Sequence, residues 1–390
     1  MRQITLEHLA GDPHQALAAL RAHEPVAWID DMAGWLVTSR ELAVEVMRDP
    51  ATFTVDDPRF TTARVVGPSM LSVDGDRHAR HRDPFQRGFR LDRIRARFAE
   101  PVRRQAQALL TPIEAAGEAD LRDAFTGPLA VLIVAELLGL VDVPAAAVLG
   151  WYRAIVAAVG ELTAGGDVPG PARTAVAELN QHLTRSLRPP GAGGLLADAL
   201  ADGRLTEPEA LSNAAVIMFG GIDTTDGMLA NAIWHLLTHR DQLELVLDGG
   251  ATFAHALEES LRLEPAAAVI DRYARRNAEL GGHEIAAGDL VRVSIAAANR
   301  DPATFPDPDR FDVRRGNARH HVAFAHGPHV CLGMHLARLE GVEGLELLFE
   351  RLPGLRLSEG APPPGGLVFR RPPALPVRSG TERRAASQMQ

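Results

Sequence analysis

The chain has 390 residues and no lysine: all 41 of its Lys/Arg positions are arginine. Chemistry that runs through a lysine amine is thereby excluded, both Schiff-base catalysis and the P-loop grip on a nucleotide. Cysteine is almost as scarce. The single thiol, Cys331, rules out an internal disulfide and any zinc site built from two or more thiolates. Net positive charge is missing too, since the formal charge is −9, which argues against a general nucleic-acid binder. The opening MRQITLEHLAGDPHQ lacks the apolar core of a secretory signal. The most apolar stretch, residues 128–151, carries Glu136, Asp142 and Pro144, which suit a buried helix and a turn better than a lipid span. The expectation is a soluble, cytoplasmic protein with no membrane span.

Hydrophobic residues at 46% and charged residues at 23% mark a chain that buries a core and is neither disordered nor fibrous. Its basic charge is concentrated. Residues 77–104 hold ten Arg against Asp83, Asp92 and Glu100, so this segment is +7 and the remainder −16. Such asymmetry points to a local docking surface.

Val26–Ile29 and residues 35–38 read as a short hairpin, followed by a helical pattern through Ala43 and Met47. Residues 54–73 lack periodicity and read as a long loop. From His78 to about Thr238 the pattern is helical, punctuated at Gly117, Pro144, 165–171 and 189–194. Thr206 to Glu209 fits a capping box, opening a helix of about 31 residues and ~45 Å through Leu237. Its middle reads GGIDTT, where Gly220 and Gly221 each cost roughly 1 kcal/mol against alanine and so require a reason. A helix at Phe253–Leu263, strand-like pieces at 272–274, 284–285 and 290–295, and a proline-rich stretch at 301–311 complete the reading. With no repeat or linker, residues 1–390 form one mainly α domain with a minor β component.

Cys331 stands in FAHGPHVCLGMHLARLE, where a Gly/Pro-rich loop meets a helical pattern beginning near Leu332. A thiol at that junction would face free backbone N–H groups and the positive end of the helix dipole, which favour thiolate. Gly327 and Gly333 would let a flat partner approach the backbone. Three readings compete: a buried small hydrophobe, a zinc ligand among His320, His321, His326, His329 and His335, and a nucleophile that would need a base and an oxyanion site.

The spacing of Phe324, Gly327, His329, Cys331 and Gly333 resembles the haem-binding signature of the cytochrome P-450 family, with Ala325 where a glycine is usual. Glu259-Ser-Leu-Arg262 resembles the family's ExxR helix, against the alternative of a surface salt bridge. Arg310 in PDPDRF resembles the arginine that closes the same network, and ANRDP at 298–302 completes the pattern. The resemblance implies the P-450 fold, a triangular prism of helices around haem b, with Cys331 as thiolate ligand to the iron. It also implies that His78 and Arg82 of HARHR, Arg272 and His329 hold the haem propionates.

Within GGIDTT, the resemblance makes Gly220 and Gly221 room for O2 and substrate, and Asp223–Thr224 the acid–alcohol pair. Thr224 would hydrogen-bond oxygen or a water and Asp223 would relay protons; Thr225 and Asp226 are structural partners or relay alternatives. The implied activity is monooxygenation, hydroxylating or epoxidising a hydrophobic natural product, as in antibiotic biosynthesis. Oxidative coupling, peroxide-driven oxidation and, in a different class, a non-catalytic haem-thiolate sensor are the alternatives. Without a flavin or nicotinamide domain, electrons would come from a ferredoxin and its NAD(P)H-dependent reductase, docking on residues 77–104 around Arg87, Arg90 and Arg93. Substrate contacts are expected from 54–73, 151–163, 216–220 (Val216, Phe219), 266–270 (Ala266, Ala267, Ala268, Val269, Ile270) and 366–368 (Val368). A monomer is expected.

Overall fold

The structure, a computed structural model, describes residues 4–163, 167–187 and 194–380. Helices dominate, and local sequence signals account for where the principal ones begin and end. Thr206 and Glu209 form the expected capping box and open the helix Glu207–Gly221. Thr252 caps Phe253–Leu263 by accepting from the His255 N–H at 3.2 Å. Gly117, at φ +76°, ends the helix Leu91–Ala116 in the left-handed conformation that glycine adopts without strain. The expected breaks at 165–171 and 189–194 fall partly outside the described residues.

Two elements differ from the sequence reading. The single long helix from Glu207 is two, Glu207–Gly221 and Asp223–Thr238, separated at Ile222 with φ −86° and ψ −72°. The expected loop at 54–73 contains a six-residue helix, Thr61–Val66, too short to display a period.

The minor sheet has five strands in the order Val26–Ile29, Gly34–Val37, Leu290–Ser294, Val269–Ala274, Phe53–Thr54. Gly34–Val37 and Leu290–Ser294 run parallel; the other neighbours are antiparallel. The hairpin turn is made by Ala33 at φ +45°. Leu91–Ala116 lies along Met334–Arg351, while Asp223–Thr238 packs on Phe253–Leu263 and on Met334–Arg351. Asp223–Thr238 is buried from Thr225 to Ile233 without interruption, which identifies it as the central helix.

Among the described residues one helix, Ala145–Thr163, contains a window (Ala145–Leu162) long and apolar enough to cross a membrane. It packs against Gly127–Leu137 and Gly170–Ser186. The break at Ile222 and the loop ahead of Met334–Arg351 face each other across an internal cavity, and these two irregularities hold the site.

Candidate functional site

The cavity offers about 290 Å³ to the centre of a water molecule. One wall is the loop Phe324, Ala325, His329 to Gly333; the other is the turn Gly220, Gly221, Thr224 and Thr225. The loop is tied back on itself, with the Cys331 N–H donating to the Phe324 carbonyl at 2.8 Å and the Val330 N–H to Gly327 at 3.1 Å. Arg338 lies over the Phe324 ring at 4.5 Å. Ala325 sits at φ +58°, the conformation for which a glycine would be the unstrained residue.

Burial raises the Cys331 thiol, and it outweighs the lowering by the Gly333 and Met334 N–H groups and by Arg82 and Arg338. The Gly333 and Met334 N–H groups and the two arginines are nevertheless placed to favour an anion. The roles given to the loop glycines also change. A Cβ on Gly327, at φ +72°, would collide with the Met47 carbonyl, so this glycine serves the contact with the helix Arg40–Arg48 and not a flat partner in the cavity. Gly333 lines the cavity and has room for a Cβ at ordinary contact distance.

Of the four basic side chains named from the sequence, Arg82 and His329 line the cavity with Cys331, while His78 and Arg272 stand next to His329. The His78 and His329 rings lie with centroids 4.3 Å apart, tilted by 46°. His329 Nε2 has Asp74 Oδ1 at 2.7 Å, whereas His78 Nε2 is buried with no partner. Burial, then the charges of His329 and Arg82, push His78 down to about 4. Arg82 donates to the Val330 carbonyl at 2.6 Å, and Arg272 to the Asp271 carbonyl at 2.8 Å. Burial brings Arg272 down to about 10, with Asp74 and Asp271 opposing. A buried and a half-buried guanidinium group, Arg272 and Arg82, with no salt bridge among the described residues, and one orphaned imidazole nitrogen fit a flat group carrying carboxylates. Asp74, which the sequence reading missed, orients His329 and also accepts from Thr54 and the Val55 N–H. Burial works against its ionisation, yet the hydrogen bonds from His329 and Thr54 hold it well below the usual carboxylate range.

Across the cavity, Thr224 Oγ1 donates to the Gly220 carbonyl at 2.5 Å. Gly220 opens onto empty space, consistent with room for a small ligand; a Cβ on Gly221 would come within 2.7 Å of Val134 Cγ2, so that glycine is needed for packing. Asp223 does not line this cavity. Its carboxylate is 3.0 Å from Arg371 Nη2 and faces a second cavity on the far side of the turn. Asp226 is buried as a structural partner, 2.6 Å from both Arg122 Nη2 and Thr126 Oγ1.

The proposed substrate wall is partly wrong. Val216 lines the cavity, as do Ala266, Ala267 and Ile270. Phe219 turns instead to the Tyr152 ring, 6.4 Å away. Ala268 and Val269 face a small hollow beside Leu17 and Leu36. Val368 is exposed and contributes its carbonyl to the Ala268 N–H. Of 54–73, Met70 and Leu71 reach the cavity; Val134, Leu137 and Ile295 also line it and went unread.

Glu259 and Arg262 are fully buried and joined by two hydrogen bonds, Nε to Oε2 at 2.7 Å and Nη2 to Oε1 at 2.9 Å, so the surface-pair reading fails. Arg310 does not close this network with its side chain. Arg315 does, with Nε 2.9 Å from Glu259 Oε1, while Arg310 is exposed and lends only its carbonyl to Arg262 and Arg315. Asn299 of ANRDP accepts from the Val322 N–H at 2.7 Å and gives its carbonyl to Arg262, tying the network to the cysteine loop.

The basic segment divides. Arg77, Arg80, Arg103 and Arg104 are spent on Asp56, Glu209, Glu343 and Glu100. The exposed side chains of Arg87, Arg90, Arg93 and Arg95 make no salt bridge among the described residues, and Arg90 borders a hollow that reaches Cys331 from outside.

Residues 253–353 match the family model described as Cytochrome P450. The chain is 35% identical over 398 residues to "Cytochrome P450 monooxygenase PikC" of Streptomyces venezuelae, covering 95% of this chain and 92% of that protein. It is 33% identical over 383 residues to "Mycinamicin IV hydroxylase/epoxidase" of Micromonospora griseorubida, covering 92% and 93%. Among solved structures, CalO2 superposes with a TM-score of 0.84 at 30% identity, covering 95% of this chain and 96% of that one.

Proposed function

The chain belongs to the cytochrome P450 family, and on that premise we propose that it oxygenates a bulky, largely apolar natural product, as a cytoplasmic monomer supplied with electrons by a ferredoxin. Its cofactor is haem, for which Cys331 would provide the thiolate ligand and His78, Arg82, Arg272 and His329 the propionate partners. When bound, haem supplies oxygen activation, and a thiolate ligand favours O–O cleavage. Thr224 holds a hydroxyl proton in the cavity, and Asp223 exchanges protons with the side facing away from it. Met70, Leu71, Val216 and Ile217 keep water from the reacting end and grip apolar surface.

The observation that carries this reading is the meeting of Cys331, Arg82 and His329 on one wall of a largely apolar cavity, with the orphaned nitrogen of His78 next to His329. Two relatives in antibiotic tailoring, the mycinamicin hydroxylase/epoxidase and the 20-oxo-5-O-mycaminosyltylactone 23-monooxygenase of Streptomyces fradiae, support the substrate class. The unpaired Arg87, Arg90 and Arg93 support an acidic electron donor. The test is the carbon monoxide difference spectrum of the reduced holoprotein. The red-shifted thiolate–haem band is expected in the wild type and lost in Cys331→Ala; its absence from the wild type overturns the reading.

A further inference from the structure

Asn213 is fully buried in the helix Glu207–Gly221, one turn before Val216 and Ile217, which line the reaction cavity. An amide at a core position is tolerated only where its polar groups are paired, and here all of them are. Oδ1 accepts from the Met70 N–H at 2.8 Å, while Nδ2 donates to the Glu209 carbonyl at 2.7 Å and to His81 Nδ1 at 2.9 Å. These partners fix which way the amide faces. Turned over, it would set its NH2 against the Met70 N–H and its oxygen against the Glu209 carbonyl. They also fix the His81 tautomer: Nδ1 accepts, so the proton lies on Nε2, which faces Glu209 Oε1 at 3.8 Å. Burial, and after it the charge of Arg80, lowers His81 and keeps the ring neutral in that role.

The segment that Asn213 holds is a wall of the cavity, since Met70 and Leu71 both line it. Within this turn the polar groups serve one another, with Ser72 Oγ accepting from the Ser69 N–H at 3.1 Å and the Ser72 N–H donating to the Ser69 carbonyl at 3.0 Å. The Met70 N–H instead leaves the turn for Asn213. A second contact sits beside it on the same helix: Gly67, at φ +88°, passes so close that a Cβ would fall 2.6 Å from Ser212 Oγ. On the other side of the amide, His81 precedes Arg82, which lines the cavity from the helix Gly75–Gln86. One side chain thereby joins the loop of Met70 and Leu71 to the helix of Val216 and Ile217 and to the helix of Arg82.

We propose that Asn213 is a specificity-determining positioning residue, which by holding the Met70 N–H fixes how far the Met70–Leu71 wall stands from the Val216–Ile217 wall. The gap between those walls sets the breadth of molecule that the cavity accepts, and His81 locks the amide that sets the gap. The inference rests on the reading of this cavity as the haem and substrate site. Asn213 itself lies behind the wall, so its effect falls on broad ligands and spares a ligand too small to reach Met70.

The ferric holoprotein is titrated with imidazole, which needs only the iron, and with 4-phenylimidazole, whose second ring also needs room, both read from the shift of the haem absorption band. Hydrogen–deuterium exchange of peptide 67–74 is followed in parallel by mass spectrometry. Asn213→Leu takes the acceptor from the Met70 N–H at nearly unchanged volume. It is expected to speed exchange of that peptide by about 10-fold or more and to weaken 4-phenylimidazole relative to imidazole by about 3-fold or more, while peptide 253–263 exchanges as in the wild type. Asn213→Asp, which keeps the oxygen, should lie closer to the wild type in both readouts. Should Asn213→Leu fail to fold, Asn213→Ser carries the same expectation, its hydroxyl being too short for Met70 but able to donate to the Glu209 carbonyl. A smaller change in either readout, or an Asn213→Asp that behaves like Asn213→Leu, overturns the proposal. Absence of the thiolate–haem band from the wild type would instead overturn the family reading, and the two failures are separate because the exchange of 67–74 is read from the chain itself.

Discussion

Arg315 Nε lies 2.9 Å from Glu259 Oε1 and joins the two hydrogen bonds from Arg262 and the one from the Asp312 N–H on a fully buried carboxylate. Removing one partner of a buried pair leaves an uncompensated charge. Arg315→Ala is expected to cost about 3–5 kcal/mol of stability. Arg310→Ala, whose side chain is exposed, is expected to stay within about 0.5 kcal/mol of wild type. Urea denaturation of the two variants side by side decides between the arginines, and equal losses would restore Arg310 to the network.

Ala325 is held at φ +58° in the cysteine loop. An L-residue there carries about 1–2 kcal/mol of strain, from which glycine's extra unfolded-state freedom takes back roughly 0.5–1. Ala325→Gly should therefore raise stability by about 0.5–1 kcal/mol. A β-branched Ala325→Val should lower it, with loss of haem uptake on refolding. A urea midpoint that falls in the glycine variant would contradict this account.

His235 is buried against Phe311, with Ser260 Oγ at 2.9 Å from Nδ1, and burial pushes it down to about 3 from 6.5. The sign follows from which form the fold accepts. The folded chain holds the neutral ring while the unfolded chain takes up a proton below about 6.5, so this group's contribution is complete above that pH. It is lost progressively as the pH falls toward 3. His235→Gln should flatten the acid limb of the stability curve between those values. Denaturation midpoints at pH 7, 5.5 and 4 measure it; parallel curves for variant and wild type would refute the assignment.

Arg87, Arg90 and Arg93 are exposed and make no salt bridge among the described residues, whereas Arg104 is bound to Glu100 and Glu136. Reversing the first three to Glu should raise the KM for ferredoxin by about 10-fold or more and abolish its dependence on salt. The carbon monoxide spectrum should not change. Arg104→Glu, on the same segment, is the control and should have little effect; equal effects from both would mean that total charge, not this face, matters.

What could be read in the sequence was what short spacing dictates. Cys331 in its loop, Glu259 and Arg262 one helical turn apart, and Thr206 with Glu209 are each fixed within a few residues. Arg310 and Arg315 could not be told apart, because both stand in an irregular stretch where no period says which side chain turns inward. Ala268 and Val269 were misplaced for a related reason: they stand where the chain enters the strand Val269–Ala274, and no period there says which way it turns. The GGIDTT glycines were legible as an anomaly, but only packing against Val134 separates Gly221, which is needed for fit, from Gly220, which is open. Asp74 carried no signal of its own; it acts through His329, 255 residues away.

Asn299 joins the buried Glu259–Arg262–Arg315 frame to the backbone just before the cysteine loop. Met70, Leu71, Val216 and Ile217, which shape the opposite wall, take no part in that frame. The frame behind the cysteine loop and the wall that shapes the cavity thus draw on different residues. A library that randomises those four wall positions can recut the cavity for a differently shaped guest while the thiol stays in register, and this makes the scaffold a tractable starting point for retargeting.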